Sequence, residues 1–204
     1  MNKRLDFLLA AALFSAGMAN VSAAPQAKNI IFFLGDGMGP TTITAARIYK
    51  HGEDGLLNFE RLERTARIKT YSNDFQTTDS APSMGAYMTG VKINQDGISM
   101  KDARAIDPEK DANGNWSVDR CGENNGQVVP TILELAKAAG RSVGAVTTTE
   151  LTHATPASTF SHVCHRDAGY SIARQIVPGG EGYNRALGDG VDVLMGGGRH
   201  HFTP

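Results

Sequence analysis

Apolar runs with the composition of β-strands alternate along the chain with stretches of helical periodicity. The runs are NIIFFLG (29–35), ARIKTYS (66–72), SVGAVTTT (142–149) and GVDVLMGGG (190–198). Strands separated by helices form parallel-rich sheets covered on both faces. The pattern therefore predicts an α/β fold: a three-layer sandwich with a largely parallel central sheet and helices on both faces.

Helical stretches occupy the intervals between these runs, and several carry start and stop signals. They are PTTITAARIYK (40–50), LLNFERLER (56–64), SAPSMGAYMTG (80–90) and PTILELAKAAG (130–140). Proline in the first turn and glycine after the last turn are typical of helix ends. The helix over 130–140 is expected to bury a face made of Ile132, Leu135 and Ala139.

Residues 94–127 differ from the rest of the chain, because they are polar, rich in Asn, Asp and Gly, and lack periodicity. We interpret them as a surface insertion with Trp116 as a local anchor. The remaining length suffices for one core, so residues 24–204 are expected to belong to a single domain.

The N-terminus has the pattern of a secretory signal peptide over residues 1–23. MNKR is basic, residues 7–19 are apolar, and VSAA supplies small residues for cleavage after Ala23. A membrane anchor is the alternative, but the apolar run is shorter than the ~20 residues that a span needs. We expect a secreted protein, periplasmic if the source is a Gram-negative bacterium.

Export would place the two cysteines, Cys121 and Cys164, outside the reducing cytoplasm. In an oxidising compartment they can form a disulfide, and two buried free thiols are the alternative. The formal net charge of -1 gives no electrostatic footprint for nucleic acid or an anionic membrane. We therefore expect neither nucleic acid nor a stable membrane association among the partners.

Two stretches place reactive side chains next to predicted element ends. In NIIFFLGDGMGP, Asp36 follows the first apolar run and is flanked by glycines. Ligands of α/β sheets bind at the carboxyl ends of strands, so a metal-binding carboxylate fits there, although an ordinary Asx-turn fits as well. In DFQTTDSAPSMG, Ser80 is positioned to cap a helix over Ala81–Thr89, either as an anion-facing nucleophile or as a plain N-cap.

A third stretch, TTTELTHATPASTFSHVCHRD (147–167), follows the third apolar run. It contains His153 and Thr155, which can contribute to a metal site, and Arg166, which can grip a phosphate with two parallel hydrogen bonds. Helix capping by Thr155 and a surface charge at Arg166 are the alternatives. The chain has neither an H-E-x-x-H nor a C-x-x-C motif.

Four segments together resemble the alkaline phosphatases, in the order and spacing of that family. They are NIIFFLGDGMG, TYSNDFQTTDSAPSMGAYMTGVK, VGAVTTTELTHATPASTFSH and DVLMGGGRHHF, and they cover most of residues 28–204. The resemblance implies an alkaline-phosphatase-like fold, here incomplete.

The resemblance also assigns roles to individual residues. It implies that Ser80 in T-D-S-A is the phosphorylated nucleophile and a zinc ligand. Asp36 is implied to bridge magnesium and one zinc, Thr155 to bind magnesium, and Arg166 to clamp the substrate phosphate. His153 is implied to lie beside the magnesium site without binding the ion.

The implied activity is hydrolysis of small phosphomonoesters through a phosphoserine, with two zinc ions and one magnesium ion, in a protein that is a homodimer when complete. Inorganic phosphate is the implied second ligand. Family members continue beyond Pro204, where most zinc ligands lie. We therefore expect the 204-residue chain alone to be inactive, and we assign no metal to His200 and His201.

The sequence also allows functions other than that of an alkaline phosphatase. A non-catalytic remnant or binding module would fit the missing ligands. A sulfatase or a phosphodiesterase shares the architecture, but sulfatases need a C/S-x-P-x-R context, and DSAPSMG lacks that arginine.

Overall fold

The computed structural model describes residues 27–110, 114 and 116–203, without the side chain of Trp116. The predicted signal peptide, residues 1–23, lies outside the described residues, as does the Trp116 side chain that was expected to act as an anchor. No helix in the described ranges is long and apolar enough to cross a membrane.

The described helices and strands are numbered here in chain order. The α-helices are α1 Pro40–His51, α2 Ser80–Thr89, α3 Ile132–Ala138, α4 Ala154–Ala157 and α5 Gly169–Ile176. Short 3-10 helices cover Asn58–Arg61, Arg185–Leu187 and Arg199–Phe202. The strands are β1 Met100–Lys101, β2 Glu109–Lys110, β3 Trp116–Ser117, β4 Gln127–Val128, β5 Gly144–Glu150 and β6 Val193–Gly197.

Strands β5 and β6 form a parallel pair in which Gly144 lies opposite Val193, and Glu150 lies opposite Gly197. The other two ladders, β1 with β4 and β2 with β3, are short and antiparallel. The parallel pair, with helices before and between its strands, confirms the α/β class. It is the part of the predicted central sheet that the described residues contain.

Two of the four predicted strands are wrong. The chain divides into two units, Met1–Gly35 and Asp36–Pro204. In the first unit, the described residues 27–35 form no strand and leave Phe33 exposed. In the second, residues 66–72 form none either. A strand is held by hydrogen bonds to a neighbouring strand, and neither segment has such a pairing in the described part of the chain.

The predicted helices fare better. Helix α1 begins at Pro40, as the proline signal indicates, and α2 ends before Gly90, which adopts the left-handed conformation expected of a C-terminal glycine. The helix predicted over 56–64 shortens to the 3-10 helix Asn58–Arg61.

The core of the second unit forms around α2, α4 and α5, where Phe160, Ile172 and Leu187 are fully buried. Ile98 and Ser99 are also fully buried, although both belong to the segment 94–127. The hydroxyl of Ser99 donates to the carbonyl of Ser158 at 2.7 Å. This segment therefore contributes to the core as well as to the surface.

Helix α3 buries a face that the sequence does not predict. Ile132 and Leu135 are 48% and 60% exposed, whereas Glu134 is 4% exposed. A capping box explains the burial of the glutamate: the Thr131 hydroxyl accepts from the Glu134 amide, and the Glu134 carboxylate accepts from the Thr131 amide at 2.7 Å. The prediction of a buried Ile132–Leu135 face is wrong because helix periodicity alone does not report this polar anchor.

The Glu134 carboxylate also joins distant parts of the fold. It contacts Nε2 of His162 at 2.7 Å and accepts from the Asn184 amide at 2.6 Å, while Nδ1 of His162 lies 2.9 Å from the Ser99 carbonyl. Burial raises the pKa of Glu134, but the hydrogen bonds from His162, Asn184 and the Thr131 amide outweigh it and hold the pKa below its usual range.

A carboxylate with a depressed pKa in the folded state stabilises the protein above its unfolded pKa and loses that contribution as the pH falls through the folded pKa. We expect Glu134→Gln to lower the free energy of unfolding at pH 7 by about 1.5–3 kcal/mol. The variant should also lose less stability than the wild type between pH 5 and pH 3. Urea unfolding at several pH values measures both effects, with the exposed Glu53→Gln as control. If the free energies of unfolding of the wild type and Glu134→Gln changed in parallel with pH, the lowered pKa of Glu134 would be contradicted.

Cys121 and Cys164 are paired in a disulfide, with their Cα atoms 5.5 Å apart. The bond closes a loop with a sequence separation of 43, which contributes about 4 kcal/mol in the chain-entropy model. Because Cys164 lies two residues before Arg166, the disulfide also anchors the segment that carries this arginine.

Candidate active site

Asp79, not Ser80, caps helix α2. The Asp79 carboxylate accepts a hydrogen bond from the Ala81 amide at 2.6 Å, and the helix begins at Ser80. The prediction of Ser80 as the cap is therefore wrong by one residue, because an aspartate immediately before it satisfies the free amide. As a result, the Ser80 hydroxyl lies at the helix N-terminus without a capping role.

The Arg166 guanidinium lies directly over this helix start. Its Nη1 donates to the Asp79 carboxylate at 3.0 Å and to the Ser80 hydroxyl at 3.1 Å, and its Nη2 donates to Nε2 of His153 at 3.2 Å. The Arg166 side chain is 22% exposed. Two fixed contacts thus orient the planar guanidinium against the serine oxygen while part of it still faces solvent.

Asp79 caps the helix and also holds the arginine. One carboxylate oxygen, Oδ1, accepts hydrogen bonds from both the Ala81 amide and the Arg166 guanidinium. Its second oxygen accepts from the backbone amide of Asp96 at 3.0 Å. The carboxylate is therefore held from two sides.

Asp96 is the residue near this site that sequence reasoning missed. Its backbone has φ of 63°, in the left-handed region that non-glycine residues rarely adopt. Burial, and then the Asp79 carboxylate, raise the pKa of Asp96, while His165 and Arg166 oppose that rise. The dipeptide Asp96-Gly97 is a turn signal, but the sequence does not tell which carboxylate the turn supports.

Asp36 and Thr155 form a second group, although they are 119 residues apart in the chain. The Thr155 hydroxyl donates to the Asp36 carboxylate at 2.6 Å. Asp36 precedes a turn at Gly37, whose φ is 65°, and Thr155 belongs to α4, which His153 precedes as N-cap. Thr155 therefore does not cap this helix.

The two oxygens suit a hard cation. Magnesium takes oxygen ligands at 2.0–2.1 Å in octahedral geometry, which places neighbouring ligands about 2.9 Å apart. In addition, Nδ1 of His153 is buried and has no hydrogen-bond partner among the described residues. A buried polar atom of this kind indicates a place for water or a bound group next to Arg166 and Thr155.

The structure thus brings four predicted residues into two neighbouring groups: Ser80 with Arg166, and Asp36 with Thr155, with His153 on the short segment between Arg166 and Thr155. In the described part of the chain no hydrogen bond joins Asp36 to Ser80. Chemically, the first group can bind an anion at a helix N-terminus beside a hydroxyl nucleophile, and the second can bind a cation.

Comparison with known proteins relates the chain to one family. A model of the alkaline phosphatase family matches residues 27–204. The tissue-nonspecific alkaline phosphatase of Gallus gallus is 39% identical over 191 residues, covering 87% of this chain and 34% of the relative. That of Homo sapiens is 38% identical over 196 residues with the same coverage.

Solved structures agree with the sequence matches. A TAB5 alkaline phosphatase mutant with magnesium bound in its M3 site aligns with a TM-score of 0.61 at 25% identity, covering 82% of this chain and 38% of that one. A cold-active alkaline phosphatase from a psychrophilic Shewanella aligns with a TM-score of 0.57 at 27% identity, covering 83% and 36%. The chain spans about a third of the length of the curated relatives it matches. By its sequence and its fold, the chain belongs to the alkaline phosphatase family.

Proposed function

We propose that the complete protein hydrolyses phosphomonoesters through a phosphoserine formed at Ser80. The observation that carries the proposal is the position of Arg166, whose Nη1 bonds both the Ser80 hydroxyl and the Asp79 carboxylate at the start of α2. Family membership supports the same activity.

Substrate binding follows from charge and geometry. A helix N-terminus attracts anions, and a guanidinium can bond two phosphate oxygens at once. When a phosphate group enters, Arg166 exchanges its bond to the Ser80 hydroxyl for bonds to non-bridging oxygens. Asp79 keeps the guanidinium oriented during this exchange.

The Ser80 oxygen then attacks phosphorus. The Oγ–P bond forms as the ester P–O bond breaks, the serine proton passes to solvent, and the alcohol leaves after taking up a proton. In the second half of the reaction, water attacks the phosphorus and loses a proton to solvent. The Oγ–P bond breaks, the Ser80 oxygen takes up a proton, and inorganic phosphate is released. Arg166 compensates the negative charge on the non-bridging oxygens in both halves.

We further propose two zinc ions and one magnesium ion as cofactors. Asp36 and Thr155 would hold magnesium, and Asp36 with Ser80 would contribute to one zinc site. When bound, these metals make the serine hydroxyl easier to ionise and stabilise charge on the leaving oxygen. The 2.6 Å contact between the Asp36 carboxylate and the Thr155 hydroxyl, which brings two oxygen ligands together, supports the magnesium assignment.

The proposal extends to the cellular location, the partners and the assembly of the protein. The disulfide between Cys121 and Cys164 fits export to an oxidising compartment, and we propose a secreted protein, periplasmic in a Gram-negative source. The proposed partners are small phosphomonoesters and inorganic phosphate, and the proposed assembly is a homodimer of the complete protein.

Covalent trapping tests the proposed intermediate. Incubating the complete protein with labelled inorganic phosphate at acid pH should leave label on the peptide that contains Ser80, because hydrolysis of the intermediate is reversible and a serine phosphate ester is chemically stable in acid. Peptide mapping by mass spectrometry identifies the residue. Ser83→Ala, a neighbour on the same helix, should label like the wild type. Label on any residue other than Ser80 would refute the assignment.

A further inference from the structure

A cluster of possible metal ligands lies outside the proposed active site, where β5 ends. It consists of Glu150, His200 and His201, whose ligand atoms all lie within 4.8 Å of one another. Glu150 is the last residue of β5, and both histidines belong to the 3-10 helix Arg199–Phe202 that follows β6. The cluster shares no residue with the groups around Ser80 and Asp36.

The sheet register brings these residues together. Glu150 lies opposite Gly197 in the parallel ladder, and the Leu151 amide donates to the Gly197 carbonyl at 3.0 Å. Gly198 has φ of 89°, and a Cβ there would lie 2.9 Å from the Cβ of Glu150. Only glycine therefore allows the chain to turn this close to Glu150 and place the two histidines beside it.

His201 is held in a defined orientation. Its ring meets Tyr170 edge-on with centroids 5.2 Å apart, and its Nδ1 lies 2.7 Å from the Thr152 hydroxyl. The His201 side chain is 16% exposed, whereas the His200 side chain is 62% exposed. The centroids of the two imidazole rings are 3.9 Å apart.

The distances leave room for an ion. Nδ1 of His201 lies 3.8 Å from one Glu150 oxygen, and Nδ1 of His200 lies 4.0 Å from the other. Both distances are too long for hydrogen bonds. Ligands around a tetrahedral zinc ion at 2.0–2.1 Å are about 3.4 Å apart, so the two distances from Glu150 to the histidines need to shorten by only about half an ångström.

Although the family resemblance assigns no metal to the two histidines, we propose that Glu150, His200 and His201 bind an additional divalent metal ion, preferentially zinc. Two imidazoles and one carboxylate form a set that zinc accepts, with a fourth position open to water. In this arrangement the ion replaces the Thr152 hydroxyl at Nδ1 of His201. The ion joins the end of β5 to the turn after β6, and it is bound in addition to the metals proposed for the active site.

Metal analysis of the complete protein tests this site without reference to activity. The wild type, His200→Ala and Glu150→Gln are dialysed against buffers of fixed free zinc, and bound zinc is counted per chain. Both variants should hold one zinc fewer at low free zinc, or bind it at least about tenfold more weakly. His51→Ala, which removes an exposed histidine on α1, is the matched control and should bind zinc like the wild type.

The His200 side chain is largely exposed and the Glu150 side chain is about half exposed, so neither belongs to the buried core, and circular dichroism checks that the fold is retained. Zinc content equal to the wild type in both folded variants would overturn the proposal. If the protein hydrolyses phosphomonoesters but the variants bind as much zinc as the wild type, the metal-site proposal fails and the proposed function stands. If the protein is inactive but the variants still lose one zinc, the proposed function fails and the metal site stands. The two proposals therefore fail separately.

Discussion

Replacing Ser80 with alanine is expected to reduce the phosphomonoesterase activity of the complete protein at least about a thousandfold, because the variant lacks the oxygen that accepts the phosphoryl group. The residual activity would come from water attacking the bound ester directly. Initial rates with a chromogenic phosphomonoester, measured at saturating zinc and magnesium, give the loss in kcat.

Ser83→Ala is the control for this prediction. Ser83 lies one turn along the same helix, and its hydroxyl donates to the Asp79 carbonyl at 2.8 Å. Its removal changes the helix start but leaves the Ser80 oxygen in place, so activity should remain within about tenfold of the wild type. If Ser80→Ala and Ser83→Ala lost activity equally, the loss would reflect damage to the helix, and the nucleophile would have to be sought elsewhere.

Replacing Arg166 with alanine is expected to weaken competitive inhibition by inorganic phosphate about 10–100-fold, which corresponds to losing charge-assisted hydrogen bonds of about 1.5–3 kcal/mol. The zinc content should not change, because a guanidinium has no free electron pair for a metal. Inhibition constants and metal analysis on the same preparation measure both effects.

Two further variants define the cause. Arg166→Lys keeps the charge but loses the planar fork, so phosphate binding should recover only in part. Arg174→Ala removes an exposed arginine from α5 and should leave the inhibition constant unchanged. Unaltered phosphate affinity in Arg166→Ala would show that the anion binds elsewhere, and a parallel loss of zinc would point to a structural role.

The α/β class could be predicted from the sequence and is confirmed, whereas two of the four predicted strands are wrong and the roles of the site residues stay predictions. Ser80 and Arg166 are 86 residues apart, and each has an ordinary structural alternative when its own stretch is considered alone, but the structure joins them at 3.1 Å. The contact itself could not be predicted, because it depends on how α2 and the segment after Cys164 pack together.

The errors in the predicted fold have physical causes that no local pattern carries. The apolar run 29–35 is typical of a buried strand, but strand formation depends on a partner strand, and the sequence does not show one. Likewise, the periodicity of α3 indicates a face containing Leu135, whereas the buried side chain is Glu134, held by His162 and Asn184. Polar anchors between distant residues outweigh helical periodicity there.

The double role of the Asp79 carboxylate couples the motion of the helix start to that of the arginine. The same group accepts a hydrogen bond from the Ala81 amide and holds Arg166, so fraying of the first turn of α2 also weakens one of the contacts that orient the arginine. Local opening of a helix end costs little free energy compared with global unfolding. A phosphate ion bound by Arg166 would raise that cost, and the Ala81 amide would then exchange its hydrogen with solvent more slowly. The exchange rate of this single amide is thus a reporter of phosphate occupancy that requires no turnover.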